Sequence, residues 1–278
     1  MKAHPSTPSV ENAPTELFES GHLWIREQVD GGRLRFRVTE TGRIVFGDDD
    51  RIYEREEPPE PYRHAVRYVR ETLDRGALRD GTTDPSAFVF FGRATYRRRI
   101  DYDWDRLPPF LGYDVWSTDE ERVLPPDVTE QAYDRLGLQA VNAFDRERPA
   151  RQFSLQTYET PDSAWHDGPA LGVVFQNKRG LRAAWSNPEV GDCSVSIDAD
   201  AETLADRWAS DERIESLVDE LGDRNQTRDH ERVRTRLYER LVRERYAQLY
   251  HGSPPIDRRA FRERLDERVT EWFADANR

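Results

Sequence analysis

Residues 23–38 read Leu-Trp-Ile-Arg-Glu-Gln-Val-Asp-Gly-Gly-Arg-Leu-Arg-Phe-Arg-Val. Leu34, Phe36 and Val38 alternate with arginines, the two-residue period of a strand with one buried face. Gly31-Gly32 interrupts the apolar pattern, and Thr41-Gly42 marks a turn before a second run, Arg43-Ile44-Val45-Phe46-Gly47. The stretch therefore predicts strands joined as a hairpin or meander.

Working outward, the run Glu56-Glu57-Pro58-Pro59-Glu60-Pro61 breaks the chain. A helix is expected next, with Ala65, Val66, Val69 and Leu73 on one face and Gly76 as its stop. Residues 86–104 are aromatic and strand-like, and 108–117 form a further strand introduced by two prolines. Asp127 is placed to cap a short helix over 127–138. Strands are expected within 154–160, 170–177 and 181–187. Near residue 198 the pattern changes to three helical segments. Their stripes are Leu204, Trp208, Leu217 and Leu221; then Val233, Leu237, Leu241 and Leu249; then Phe261, Leu265, Val269 and Trp272-Phe273. These stripes suit a bundle core. The fold class expected is α+β, with residues 1–15 a disordered arm, 16–197 a β-rich domain and 198–278 a helical module.

The 278 residues carry 12 Phe, 11 Tyr and 7 Trp, enough to build a sizeable core. Asp and Glu number 54 against 42 Lys and Arg, for a net charge of -12. Lys2 and Lys178 are the only lysines, so nearly all positive charge is arginine. An acidic, lysine-poor surface fits a cytoplasmic protein adapted to high salt, where self-repulsion is screened over ~3 Å at 1 M. A GC-rich coding sequence would favour arginine too. Cys193 is the sole cysteine, which excludes an intrachain disulfide and a cysteine metal cluster. The first residues lack the apolar core of a signal peptide, and no apolar run approaches the ~18 residues of a membrane span. His64 and His166 stand isolated, without metal-ligand spacing.

Gln28-Val29-Asp30-Gly31-Gly32-Arg33 resembles the Lys-x-Asp-Gly motif of the covalent nucleotidyltransferases, the RNA ligases, DNA ligases and capping enzymes. Arg51 stands where that family often has an arginine-bearing turn. Phe91-Gly92-Arg93 and Tyr113-Asp114 resemble its Phe-Gly-Glu and Phe-Asp motifs, Leu171-Gly172-Val173-Val174-Phe175-Gln176 its Glu-Gly-Val-Val-x-Lys, and Arg182-Ala183-Ala184 its Lys-x-Lys. The order and spacing are similar across residues 23–185. The resemblance implies an antiparallel-sheet adenylation-like domain of RNA-ligase type, with an appended helical module. It also implies which groups are missing. Gln28 stands at the lysine nucleophile, Arg93 and Leu171 at the two glutamates, and Gln176, Arg182 and Ala184 at the motif lysines. An amide has no lone pair to attack phosphorus, so on this alignment no catalytic residue remains.

Three functions follow. The first is a noncatalytic RNA-ligase-like protein binding a nucleotide or nucleic-acid end through Gln28, Asp30, Gly31, Arg33, Arg51, Arg93, Tyr113, Lys178 and Arg182. Its implied cofactor is ATP or AMP with Mg2+ if the cleft still binds nucleotide. The second is a scaffold subunit whose helical tail pairs with an active ligase or a second copy. The third is a working ATP-dependent RNA ligase with another nucleophile, Lys178 being the internal lysine available. Arg93, Arg97, Arg98 and Arg99, with Tyr96 and Tyr102, form the strongest basic cluster. It either holds phosphates and stacks bases or pairs with Asp101, Asp103 and Asp105.

Overall fold

The computed structural model describes residues 1–4, 6–53, 57–191 and 195–276. Cys193 lies outside them. The chain forms two units, Met1–Thr95 with Ile100–Gly191, and Tyr96–Arg99 with Asp192–Arg278.

The first unit is built on two antiparallel sheets. Its strands are β1 (His22–Gln28), β2 (Gly32–Val38), β3 (Ile44–Gly47), β4 (Phe88–Ala94), β5 (Phe110–Ser117), β6 (Arg122–Val123), β7 (Ala143–Pro149), β8 (Gly172–Gln176) and β9 (Arg182–Ser186). One sheet has the order β7-β1-β8-β9 and the other β3-β2-β4-β5-β6. Gly31-Gly32 is not a turn between paired strands. β1 and β2 lie in different sheets, and Val29–Gly31 carries the chain across. Gly31 permits the crossing: it sits at φ +128°, and a Cβ there would come within 2.0 Å of the Ala94 carbonyl oxygen. Asp30 fixes the same turn, its Oδ2 accepting the Ile100 N–H at 2.9 Å. The expected hairpin forms at Thr41-Gly42, as β2–β3 closed at Thr39–Arg43.

Helix α1 (Glu16–Glu19) supplies Leu17 to a core under β1 and β8, where Leu23, Ile25, Val173 and Phe175 are fully buried. Helix α2 (Glu60–Thr72) starts behind Pro58-Pro59 and lays Ala65, Val66 and Val69 on the second sheet. It ends before Gly76. Asp74 accepts the Ala77 N–H and opens α3 (Arg75–Gly81), so Gly76 lies inside a helix rather than at a stop. Helix α4 (Pro126–Arg135) begins one residue early, because proline occupies its first turn without losing a hydrogen bond; Asp127 is helical, not a cap. Residues 155–157 form a 3-10 turn, not the expected strand, and β7 was not foreseen.

Residues 1–4 and 6–15, expected as a disordered arm, pack on this unit. Lys2 gives its carbonyl to Arg35, Ala184 donates its N–H to Pro8 O at 2.8 Å, and the His4 ring is buried.

The second unit holds α5 (Ala201–Trp208), α6 (Asp211–Asp223), α7 (His230–Glu244), α8 (Tyr246–His251) and α9 (Arg258–Ala276), with the short parallel pair β10 (Val195–Ser196) and β11 (Gly252–Ser253). The expected stripes meet one another: Leu204, Leu217, Leu237, Leu241, Phe261, Leu265 and Val269 share one core. Trp272 and Phe273 pack against it and are half-buried. Among the described residues, the exposed large hydrophobics are Ile52 and Val128, both outside this unit. Among the described residues, no helix is long and apolar enough to cross a membrane.

Candidate functional site

The site forms where the chain crosses between sheets, bounded by β1, β8 and β9 on one side and β2, β4 and β5 on the other. Its aim is set by a β-bulge. Phe91 pairs with Asp114 and Gly92 with Gly112, leaving Tyr113 as the extra residue of β5. The Tyr133 hydroxyl braces the bulge, 2.8 Å from Phe91 O and 3.0 Å from Asp114 O. Gly112 makes room for it, since a Cβ would meet the Tyr133 ring at 2.3 Å. The freed Tyr113 carbonyl accepts from Arg26.

Asp114 is the electrostatic centre. Its carboxylate is 1% exposed and receives Arg26 Nη2 at 3.3 Å, the Arg182 guanidinium, Gln176 Nε2 at 3.3 Å and His4 Nε2 at 2.5 Å. Burial alone would raise its pKa, but Arg182, the His4 hydrogen bond and Arg26 outweigh that and hold it well below the usual carboxylate range. Arg26 also donates to the Gln176 side-chain oxygen, so the glutamine at a motif-lysine position satisfies a buried arginine. The His4 ring meets Phe91 edge-on at 5.0 Å and Tyr113 at 5.1 Å. Burial lowers the His4 pKa against the pull of Asp114. Burial pushes the Tyr113 phenol up to about 12.

These groups wall a cavity of about 210 Å³, lined in part by Gln28, Arg33, Arg93, Tyr113, Arg182 and Ala184. Six motif positions separated by up to about half the chain thus converge. Arg93 reaches back to Gly31 O at 3.2 Å. The Gln28 side-chain oxygen is buried without a hydrogen-bond partner, as is His4 Nδ1. Glu27 also borders the cavity, its carboxylate held by Ser163 Oγ at 2.5 Å, Asn142 and the Ala164 N–H, while burial raises its pKa.

The other expected site residues lie elsewhere. Asp30 and Gly31 shape the crossing. Arg51 stands over the Tyr53 ring at 5.6 Å, in the turn after β3. Leu171 is buried with Val29, Ile100 and Trp165. Lys178 sits on the β8–β9 turn, 2.9 Å from Asp127 and 2.8 Å from Glu147, and these carboxylates raise its pKa. The basic cluster divides as well. Arg93 belongs to the first unit, whereas Arg97–Arg99 belong to the second, where the Arg97 N–H donates to Arg243 O and the Tyr96 ring packs on Tyr246. Tyr96 and Tyr102 are both buried, and the Tyr102 hydroxyl accepts the Asp30 N–H at 3.1 Å, so neither ring faces a base.

His4, Arg26 and Glu27 were missed as site residues. An arginine and a glutamate at consecutive positions of an otherwise apolar strand were the available signal for the last two; nothing local marks His4.

A divalent cation needs several converging oxygen ligands. Arg93 and Leu171 occupy the positions where the resemblance implies glutamates. Among the described residues, the two carboxylates that line the cavity, Asp114 and Glu27, are engaged by other donors, so neither is free to take Mg2+.

No protein-family model matches the chain, and no curated protein matches it. Among solved structures, it is similar to an archaeal ATP-dependent RNA ligase at TM-score 0.47 and 14% identity, over 99% of this chain and 65% of that one. It is similar to a Naegleria gruberi RNA ligase variant solved with ATP and Mn at TM-score 0.50 and 15% identity, over 68% of this chain and 56% of that one. The chain thus spans less than two thirds of the length of these neighbours. The second likeness shows the fold alone, an RNA-ligase nucleotidyltransferase-like arrangement of antiparallel sheets and helices over 68% of this chain.

Proposed function

We propose that this RNA-ligase-like protein is a noncatalytic binder of a nucleotide or nucleic-acid end, held in the cleft between the two sheets. One observation carries the reading. Gln28 and Arg93 border the same cavity as Arg33 and Arg182, so an amide and a cation stand where the resemblance implies a nucleophile and a carboxylate.

That exchange changes what the cleft does. A carboxylate beside a phosphate works through a metal that bridges the two. A guanidinium pairs with phosphate oxygens directly and often through two parallel hydrogen bonds. Arg33 and Arg93 neutralise phosphate charge, Arg182 stays locked to Asp114, and Gln28 offers an acceptor in place of an amine. The arrangement retains binding and lacks a group to form a phosphoramidate.

The test is equilibrium binding of fluorescent single-stranded RNA and of adenine nucleotides to the full chain in molar potassium chloride. Binding that weakens in Arg33→Ala and Arg93→Ala supports the reading. Absence of binding to both RNA and nucleotides overturns it. Incubation with ATP and magnesium or manganese, followed by intact-mass measurement, adds the catalytic arm. No AMP adduct is expected, and an adduct would revive the ligase reading and name its nucleophile.

A further inference from the structure

Resting on that reading, we propose that His4 fills the ring-sized part of the cleft. The protein then takes the terminal phosphate of a phosphomonoester, without a divalent ion, rather than a whole nucleoside triphosphate. A planar heterocycle needs apolar walls and a polar edge, and the cleft has one place that supplies both. Phe91 and Tyr113 form the walls at 5.0 and 5.1 Å from the His4 ring, and Asp114 and Arg182 form the edge at 2.5 and 2.9 Å from Nε2. The chain's own imidazole packs on both rings and turns Nε2 toward this edge, donating to Asp114.

Both flanks hold that ring in place. Lys2 lays its ammonium over the Trp116 ring at 4.2 Å and gives its carbonyl to Arg35 at 3.0 Å. On the other side, Pro8 O accepts the Ala184 N–H at 2.8 Å, and Ser9 bridges Ala184.

With His4 seated, about 210 Å³ remains, below the ~300 Å³ lower end of ordinary small-molecule sites. The space has a definite chemistry. Arg33 Nη1 reaches Asp49 only at 3.4 Å, and Arg93 spends one donor on Gly31 O, so both forks keep N–H groups for an anion. His4 Nδ1 lacks a partner, and so does the Gln28 oxygen. Two guanidinium forks suit a phosphate dianion, and a lone buried acceptor suits a hydroxyl on the alcohol side of the ester. Because the cations are built in and the carboxylates are engaged, the ligand arrives without a metal.

The experiment titrates the full chain, in molar potassium chloride with EDTA, with four probes. These are a 5′-phosphorylated single-stranded RNA, its 5′-hydroxyl twin, AMP and ATP; ATP is repeated with magnesium. The 5′-phosphorylated RNA or AMP should bind at least about ten-fold more tightly than the 5′-hydroxyl RNA, the equivalent of one charge-assisted hydrogen bond. EDTA should have no effect. His4→Gly should improve ATP affinity by about ten-fold or more, and His4→Phe, which keeps a ring in place, should not. Thermal melting of both variants separates pocket effects from unfolding. Equal binding of the two RNAs, a magnesium requirement, or ATP affinity indifferent to His4→Gly would each overturn this inference while leaving the cleft a binding site. No binding of any probe would overturn the cleft reading itself.

Discussion

Replacing Asp114 with Asn removes one negative charge and almost no volume, so it isolates the electrostatics of the buried centre. In the wild type the carboxylate is 1% exposed, and the Arg26 and Arg182 side chains are 7% and 6% exposed. After substitution Arg26 keeps the Tyr113 carbonyl and the Gln176 oxygen, whereas Arg182 loses its charged partner. Two charge-assisted interactions at about 1.5–3 kcal/mol each are weakened, and the usual cost of breaking a buried pair is about 3–5 kcal/mol. The expected loss is therefore about 3–5 kcal/mol, a large share of the roughly 5–15 kcal/mol that holds a domain together. Urea unfolding followed by tryptophan fluorescence measures it. Two signatures separate this loss from a surface effect. First, it should persist in molar salt, because screening does not reach a dry pair. Second, the folded carboxyl has a depressed pKa, so its contribution is full above the unfolded value of about 3.9 and fades as pH falls below it. Wild type and variant should therefore converge in stability in acid. A loss under about 1 kcal/mol at neutral pH, or one that vanishes in molar potassium chloride, would refute the assignment of a buried, mutually dependent centre.

Gly31→Ala should destabilise the chain by more than about 1 kcal/mol in the same assay, since φ +128° disfavours a side chain and the Ala94 carbonyl blocks it. An unchanged midpoint would mean the crossing is looser than described. Gln28→Lys places an amine at the motif position but should yield no AMP adduct by intact mass with ATP and manganese, because Arg93 and Leu171 remain; an adduct would show that glutamates at those two positions are dispensable. Lys178→Ala should change neither RNA binding nor stability measurably, and a clear loss of binding would place the β8–β9 turn in the site.

Alternation of Leu34, Phe36 and Val38 marked β2, whereas β1, β3 and β4 bury consecutive residues on both faces and were legible as apolar or aromatic runs. The motif glycines were legible for a less obvious reason. Gly31 and Gly172 are required by close backbone approach: a Cβ on Gly172 would meet the Trp185 carbonyl oxygen at 2.2 Å. These glycines report packing and carry no message about chemistry. Sheet membership of β1 and β2 was not legible, because turn residues reveal where a chain bends and not which neighbour it pairs with. β7, Ala-Phe-Asp-Arg-Glu-Arg-Pro, was hidden by its charges, which suit a strand at the edge of a sheet. His4 was hidden by distance: its partners Asp114 and Arg182 lie 110 and 178 residues away, and its neighbours look like a disordered tail.

The bulge at Tyr113 sets how this cleft can change over evolutionary time. A regular strand offers a cavity every second side chain, so neighbouring positions cannot both contribute. The extra residue lets Tyr113 and Asp114, adjacent in the chain, line the same space. Loss of a single codon there would remove an aromatic wall and leave the carboxylate opposite Phe91. Gain or loss of one residue thus reaches outcomes that no series of substitutions can. Selection can therefore act on the spacing of β5 as readily as on its composition.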